Sequence, residues 1–143
     1  MSESNLDKVL TIAGKPGLFR MVAQTRTGVI AASLVDQNKI VTNLGQQINI
    51  LSEITVFGLK DGMPLNHIFE RMFQLEKGQS ARVNPKASRD ELESYFFLVF
   101  QDYDKDRVYA SDIKKIIQWY NLLLESKQFK FKLLNEEKSF DTK

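Results

Sequence analysis

Between Ser88 and Ser126 two apolar helical patterns meet across one short acidic turn, and no other feature limits the fold of this chain as strongly. Ser88 followed by Glu91 has capping-box spacing: the serine accepts from the third helical N–H and the glutamate reaches back to the serine amide. Leu92, Tyr95, Phe96, Val99 and Phe100 then recur with the period of an amphipathic helix. Phe97 and Leu98 fall off that stripe, which leaves only Glu93, Ser94 and Gln101 as a polar edge. A helix apolar on nearly every side is central in its domain or half of an interface. The second pattern starts at Ser111, the expected N-cap, with Asp112 facing the positive end of the helix dipole. Ile113, Ile116, Ile117, Tyr120, Leu123 and Leu124 form its stripe. Trp119, the single tryptophan, borders that stripe. It is expected to be the main anchor between the two helices, and exposure would instead place it on a binding surface. Two such faces joined by a short turn predict a helical hairpin.

The turn itself holds Asp102, Asp104 and Asp106, the first three ligand positions of a calcium-binding loop between helices. The rest of that loop fails. Arg107 stands where the sharp turn needs glycine, and Ile113 stands where a bidentate glutamate closes the shell. The expectation is a polar turn in which carboxylates cap backbone amides and pair with Lys105 and Arg107, with no metal bound.

Earlier in the chain the pattern changes to strands. Leu6, Val9, Leu10 and Ala13 suggest a short helix stopped by Gly14 and Pro16. The run Gly14-Lys15-Pro16-Gly17 lacks the spacing of a phosphate loop and reads as a turn. Strand patterns follow over 18–24, 29–35 and 40–43, the first two joined through Thr25-Arg26-Thr27-Gly28. Ile48, Leu51 and Ile54 are three apart and predict a single helical or 3₁₀ turn before a last strand over 54–59. Asp61-Gly62 is a turn, and Pro64 opens a helix whose stripe is Leu65, Ile68, Phe69, Met72 and Phe73, ended by Gly78. Residues 79–87 read as a polar linker holding Pro85, the best candidate boundary between the N-terminal β part and the C-terminal hairpin. Residues 126–135 alternate like an edge strand yet can equally extend the last helix, and disorder is expected beyond Asn135.

Composition narrows the chemistry. With 143 residues, 43% of them hydrophobic, the chain can bury a core as one domain or two small ones. A net charge of +2, without segregation along the chain, marks no nucleic-acid tail. The absence of cysteine excludes disulfides, thiolate catalysis and Cys-based zinc sites. No leader pattern opens the sequence and no stretch is apolar enough to span a bilayer, so a cytoplasmic protein is expected. His67, the one histidine, falls opposite the apolar stripe of its helix beside Glu70, Arg71 and Gln74. It has no second histidine or cysteine to form a dyad. Glu91 with Glu93, or the turn aspartates, are the other acid–base candidates, and carboxylates at helix ends and turns are usually solvated.

The pieces GKPGLFRMVAQTRTGVIAASL, LSEITVFG, PLNHIFERMF and NPKASRDELESYF resemble a family of small uncharacterised proteins from Bacteroidetes. The last piece, DYDKDRVYASDIKKIIQWYNLL, carries the most specific part of that resemblance. In the family an N-terminal domain of unknown function precedes a second one. The resemblance covers most of residues 6–125 and departs around 43–49 and in the tail. It implies that the two parts belong together, and it supplies no substrate, cofactor or catalytic residue.

The sequence therefore predicts an α+β protein. A small SH3-like β-barrel or bent antiparallel sheet over residues 1–62 precedes a helical part, with the hairpin, over residues 63–143. The expected function is that of a non-enzymatic protein-interaction or adaptor module, without cofactor or membrane contact. Its expected surface includes Phe97, Leu98, Trp119, Arg20 and Arg26. Self-association as a homodimer through Phe97 and Leu98 is one form of that function. The alternative is RNA or DNA binding by the N-terminal part, with Lys15, Arg20, Arg26 and Lys39 on phosphates and Phe19 and Phe57 stacking on bases.

Overall fold

The computed structural model describes residues 5–43 and 45–126. A 3₁₀ turn, Asn5–Lys8, leads into β1 (Val9–Ile12), followed by β2 (Lys15–Gln24), β3 (Val29–Ser33), β4 (Lys39–Val41) and β5 (Ile48–Ile50). These form one antiparallel sheet in the order β4-β3-β2-β1-β5. A second 3₁₀ turn, Leu51–Glu53, precedes the two-residue strands β6 (Thr55–Val56) and β7 (Met63–Pro64), which pair with each other. Three helices complete the described chain: α1 (Leu65–Leu75), α2 (Arg89–Val99) and α3 (Ala110–Ser126). The ambiguous segment after residue 126 and the expected disordered tail lie outside the described residues.

The sheet corrects two expectations. The first concerns residues 6–13, which form a 3₁₀ turn and a strand rather than a helix. The spacing of Leu6, Val9, Leu10 and Ala13 fits a helix, but Ile12 is buried as well and lies off that stripe. β1 sits between β2 and β5. A strand covered on both faces carries no alternation, so its period is masked. The second concerns closure. β4 and β5, each three residues long, are the two edges and do not pair with each other, so the sheet is open rather than a barrel. The helices cover one face, which removes the need to close the sheet on itself. Two register shifts, at Leu10/Ile12 and at Met21/Ala23, bend the strands locally. Gly17 takes a φ of +90° within the first, a conformation for which glycine is suited.

The two faces of the sheet bury different things. Val9 and Leu18, with Leu6, Leu34 and Leu51, join the helical residues in one continuous core. Leu10, Ile12, Phe19 and Ala31 form a second cluster, with Met21, Val29, Ile40, Ile48 and Ile50 packed against it. Phe19 is thus 6% exposed and offers no stacking surface.

The helices follow their sequence signals closely. The capping box of α2 is complete, Ser88 Oγ accepting from Glu91 N and Glu91 Oε1 accepting from Ser88 N, both at 3.2 Å. Leu92, Tyr95, Phe96, Val99 and Phe100 are all buried, as are Ile113, Ile116, Ile117, Tyr120 and Leu123 of α3. α1 ends as expected at Gly78, whose φ is +83° and whose N–H bonds the Phe73 carbonyl at 2.9 Å. α3 begins two residues earlier than the Ser111 cap predicts. Tyr109 precedes its first turn, and its N–H donates to Asp112 Oδ2 at 3.0 Å, so the acidic side chain rather than the serine caps the helix.

The polar stretch 79–87 is docked rather than a free linker. Glu76, 8% exposed, accepts from the Tyr95 hydroxyl at 2.7 Å, from Arg82 N at 3.0 Å and from Arg82 Nε at 3.2 Å. The Tyr120 hydroxyl donates to the Gln79 carbonyl at 2.6 Å, and Ala81 N donates to Asn121 Oδ1 at 3.0 Å. Burial raises the Tyr95 and Tyr120 hydroxyls well above the usual tyrosine range, and the nearby Glu76 carboxylate adds to both. Burial, and then the charge of Glu93, also raise Tyr103. A folded pKa above the unfolded value of about 10 contributes stability that is fully present below that pH and is lost as pH climbs past it. We therefore expect the denaturant midpoint to hold steady from neutral pH to about 9 and to fall above about 10. Each of these tyrosines contributes a slope of about 1.4 kcal/mol per pH unit. Unfolding curves across that range, with phenolate absorbance read alongside, test this. A midpoint unchanged up to about pH 11 refutes it.

Candidate functional site

The acidic turn is built around Asp104. One carboxylate oxygen accepts from Asp106 N at 2.9 Å and the other from Arg107 Nε at 3.0 Å. The bond from Arg107, and then that from the Asp106 N–H, hold the Asp104 carboxyl below its usual range. Both oxygens therefore serve the turn itself, as the polar-turn reading requires. The same turn pairs with the chain after β6: Asp104 N donates to the Phe57 carbonyl at 3.0 Å and Leu59 N to the Asp102 carbonyl at 2.7 Å. This short antiparallel bridge, centred on Gly58 and Tyr103, lays Phe57 beneath Arg107, whose guanidinium carbon lies 4.2 Å from the ring centre. Arg107 is held by a carboxylate on one side and an aromatic face on the other, which fixes its orientation.

Gly58 makes that bridge fit. A side chain there would overlap the Asp61 carbonyl oxygen and bring its Cβ to 2.8 Å from Phe100 Cζ. Asp61 presents backbone, which cannot move aside cheaply. Gly58→Ala should accordingly cost about 2–4 kcal/mol, an overpacking loss at the high end of its range. A melting temperature equal to wild type would show that the 57–59 segment has somewhere else to go.

Between this bridge and α3 lies a cleft of about 270 Å³. Ile54, Val56, Val108, Ile116 and Trp119 supply its apolar wall, and Arg107, Asp112 and Lys115 stand at its rim. Among the described residues Lys115 has no hydrogen bond or ion pair, and the two terminal nitrogens of Arg107 carry none. A second cleft of about 390 Å³ opens on the other side of Trp119, between α3 and the β1–β2 corner. Pro16, Gly17, Pro85 and Leu122 wall it, and Gln118 and Glu125 stand at its edge. Trp119 lines both.

Trp119 is half-buried, packed against the helical core with one part of its ring left to the clefts. It is therefore not the main anchor between α2 and α3. Phe96, Ile113, Ile117 and Tyr120 hold that place, each fully buried. The other expected surface residues are scattered. Phe97 and Leu98 are 50% and 49% exposed on α2, Arg20 is exposed on β2, and Arg26 is exposed in the β2–β3 turn. Phe97 and Leu98 border different depressions, the one beside Lys105 and the other beside Val83. His67 is exposed on α1, as its helical phase predicts. Among the described residues no group of three or more His, Asp or Glu is placed to hold a metal ion, and no helix is long and apolar enough to cross a membrane.

A family model described as a domain of unknown function (DUF5606) matches residues 6–51, and a second, also a domain of unknown function (DUF6852), matches residues 54–123. A solution NMR structure from Bacteroides vulgatus, determined as a structural-genomics target, is 34% identical, with a TM-score of 0.75. The match covers 88% of this chain and 90% of that one. The chain belongs to this two-domain family. No curated protein matches it. The family order agrees with the resemblance read from the sequence, and its descriptions assign no activity. Its second domain contains the whole cleft beside α3, from Ile54 to Trp119.

Proposed function

We propose that this family member is a cytoplasmic, non-enzymatic protein-interaction module, and that the face of α3 carrying Trp119 is its recognition surface. The observation that carries the reading is the pair of clefts on either side of a half-exposed tryptophan. Tryptophan and arginine dominate binding energy at protein interfaces, and both stand here in or at a concave site. The cleft chemistry also favours binding over turnover. Its one carboxylate, Asp112, is engaged with the Tyr109 amide, and no histidine reaches it. The nucleic-acid alternative has less support, because Phe19 is buried and Phe57 lies under Arg107.

The test is a photo-crosslinking residue in place of Gln118, at the edge of the second cleft, with one in place of the exposed His67 as control. In native lysate, protein adducts at position 118 that are absent at position 67 are expected. Adducts with nucleic acid alone, or identical adducts at both positions, would overturn the proposal.

A further inference from the structure

β4 leaves one edge of the sheet open, and its ladder with β3 shows which backbone groups face outward. Thr42 N donates to the Val29 carbonyl and Ser33 N to the Asn38 carbonyl, both at 2.9 Å. Ala31 opposite Ile40 is the pair between them, and bonded pairs alternate along an antiparallel ladder. Ile40 therefore turns its N–H and C=O toward β3, while Lys39 and Val41 turn theirs away from the sheet. Among the described residues those outward groups have no partner. β5, at the other edge, packs beside the first 3₁₀ turn instead.

The side chains at the open edge carry both apolar surface and charge. Val41, 70% exposed, stands in one row with Ile30 of β3 and Ala23 of β2. Lys39 stands in the next row with Ala32 and Arg20. Ile40, on the opposite face, packs against the second apolar cluster. From Lys15 to Val41 the chain holds four cations, Lys15, Arg20, Arg26 and Lys39, against one carboxylate, Asp36. Asp36 serves the β3–β4 turn, where it accepts from Asn38 N at 3.0 Å.

We propose that β4 accepts an extended segment of a partner protein as a sixth strand, and that this segment is acidic and rich in β-branched residues. Main-chain bonds to Lys39 and Val41 hold it, a carboxylate lies opposite Lys39, and β-branched side chains lie opposite Ile40 and Val41. A second copy of β4 is disfavoured as occupant, because pairing would set two basic flanks side by side. A lysine on a short edge strand discourages that pairing and invites a strand of opposite charge. Nucleic acid fits less well, since Phe19, the one aromatic residue of the five strands, is buried. None of the three β4 residues lines a cleft beside α3, so this surface stands or falls apart from that one.

Amide hydrogen exchange reads the free edge first: Ile40 is expected to exchange slowly, and Lys39 and Val41 fast. The probe is the capped pentapeptide Glu-Val-Ile-Val-Glu, whose palindromic order fits either strand direction. At saturation it is expected to slow exchange at Lys39 and Val41. The Lys-Val-Ile-Val-Lys counterpart should bind at least about threefold more weakly, and Lys39→Glu should remove most of that preference. Alternate amides of an added strand face β4, so N-methylation tests main-chain pairing directly. Methylating either the central isoleucine or the two valines should abolish binding, and the other pattern should retain it. Val41→Pro removes an outward N–H without touching the ladder to β3, so it should abolish binding and leave the melting temperature little changed. No saturable binding, equal binding of the two peptides, equal effects of the two methyl patterns, or fast Lys39 and Val41 amides at saturation overturns the proposal. So does protection that grows with protein concentration alone, which would mean self-pairing, or protection by an oligonucleotide and not by the peptide.

Discussion

Phe96→Ala should destabilise the protein by about 3–5 kcal/mol, the usual loss for truncating a buried phenylalanine. Phe96 is fully buried between the helices, and its ring meets Tyr103 edge-on at 5.0 Å between centroids and 78° between planes. Three losses coincide at this position. The first is the transfer of the ring itself; the second is a cavity that two rigid helices cannot close; the third is the aromatic pair, worth about 0.5–1.5 kcal/mol beyond its area. The pair has a further consequence. Tyr103 is 2% exposed and its hydroxyl has no hydrogen-bond partner among the described residues, so the ring is held by packing alone. Removing Phe96 therefore also loosens the bridge at Gly58 that carries Phe57 and Arg107. Denaturant unfolding gives the magnitude, and the emission of the single tryptophan, Trp119, shows whether the cleft survives. A loss below about 1 kcal/mol would mean that the helices repack around the deletion.

Glu76→Ala should cost about 2–4 kcal/mol, because it strips partners from groups that cannot reach water. The Tyr95 hydroxyl, which donates to Glu76 at 2.7 Å, is buried with its ring, and Arg82 N loses its acceptor at 3.0 Å. Arg82 itself is half-exposed, so its guanidinium can turn to solvent, and the ion pair adds little. The loss is thus one of unmade hydrogen bonds. Glu76→Gln separates the two contributions. It keeps an acceptor for Tyr95 and should recover more than half of the lost stability, whereas a Gln variant as unstable as the Ala variant would assign the effect to charge. Chemical denaturation of the three proteins at neutral pH decides it.

The hairpin was legible because its signals are local. A cap and its glutamate stand three residues apart, and the apolar stripes repeat within single helices. The sheet was less so. β1 reads as a helix because both its faces are covered, and β6, with two residues, is too short to carry a period. The candidate site was hardest to read. Trp119 and Arg107 are conspicuous in sequence, but the wall opposite them is made by Ile54, Val56 and Phe57, about fifty or more positions away. That meeting is produced by the 57–59/102–104 bridge, whose backbone bonds leave no mark in residue type. Glu76 was invisible for a similar reason. Its partners lie six and nineteen residues on, in a stretch whose polarity suggested a free linker.

Two named domains share one interior in this chain. Leu6, Val9, Leu18, Leu34 and Leu51 come from the segment of the first family model, and the helical residues they touch come from the second. A cut between residues 51 and 54 would leave both pieces with an apolar surface facing water, so neither half is expected to persist as a soluble fragment. Heat or denaturant should then melt sheet and helices in a single step, with far-ultraviolet circular dichroism and Trp119 fluorescence giving coincident curves. Two separate transitions would show that the halves hold themselves up unaided. For the lineage the consequence is one of inheritance. A pair of segments that complete each other's interior travels as one genetic unit, and neither half can be recombined onto another scaffold without a replacement for its missing wall.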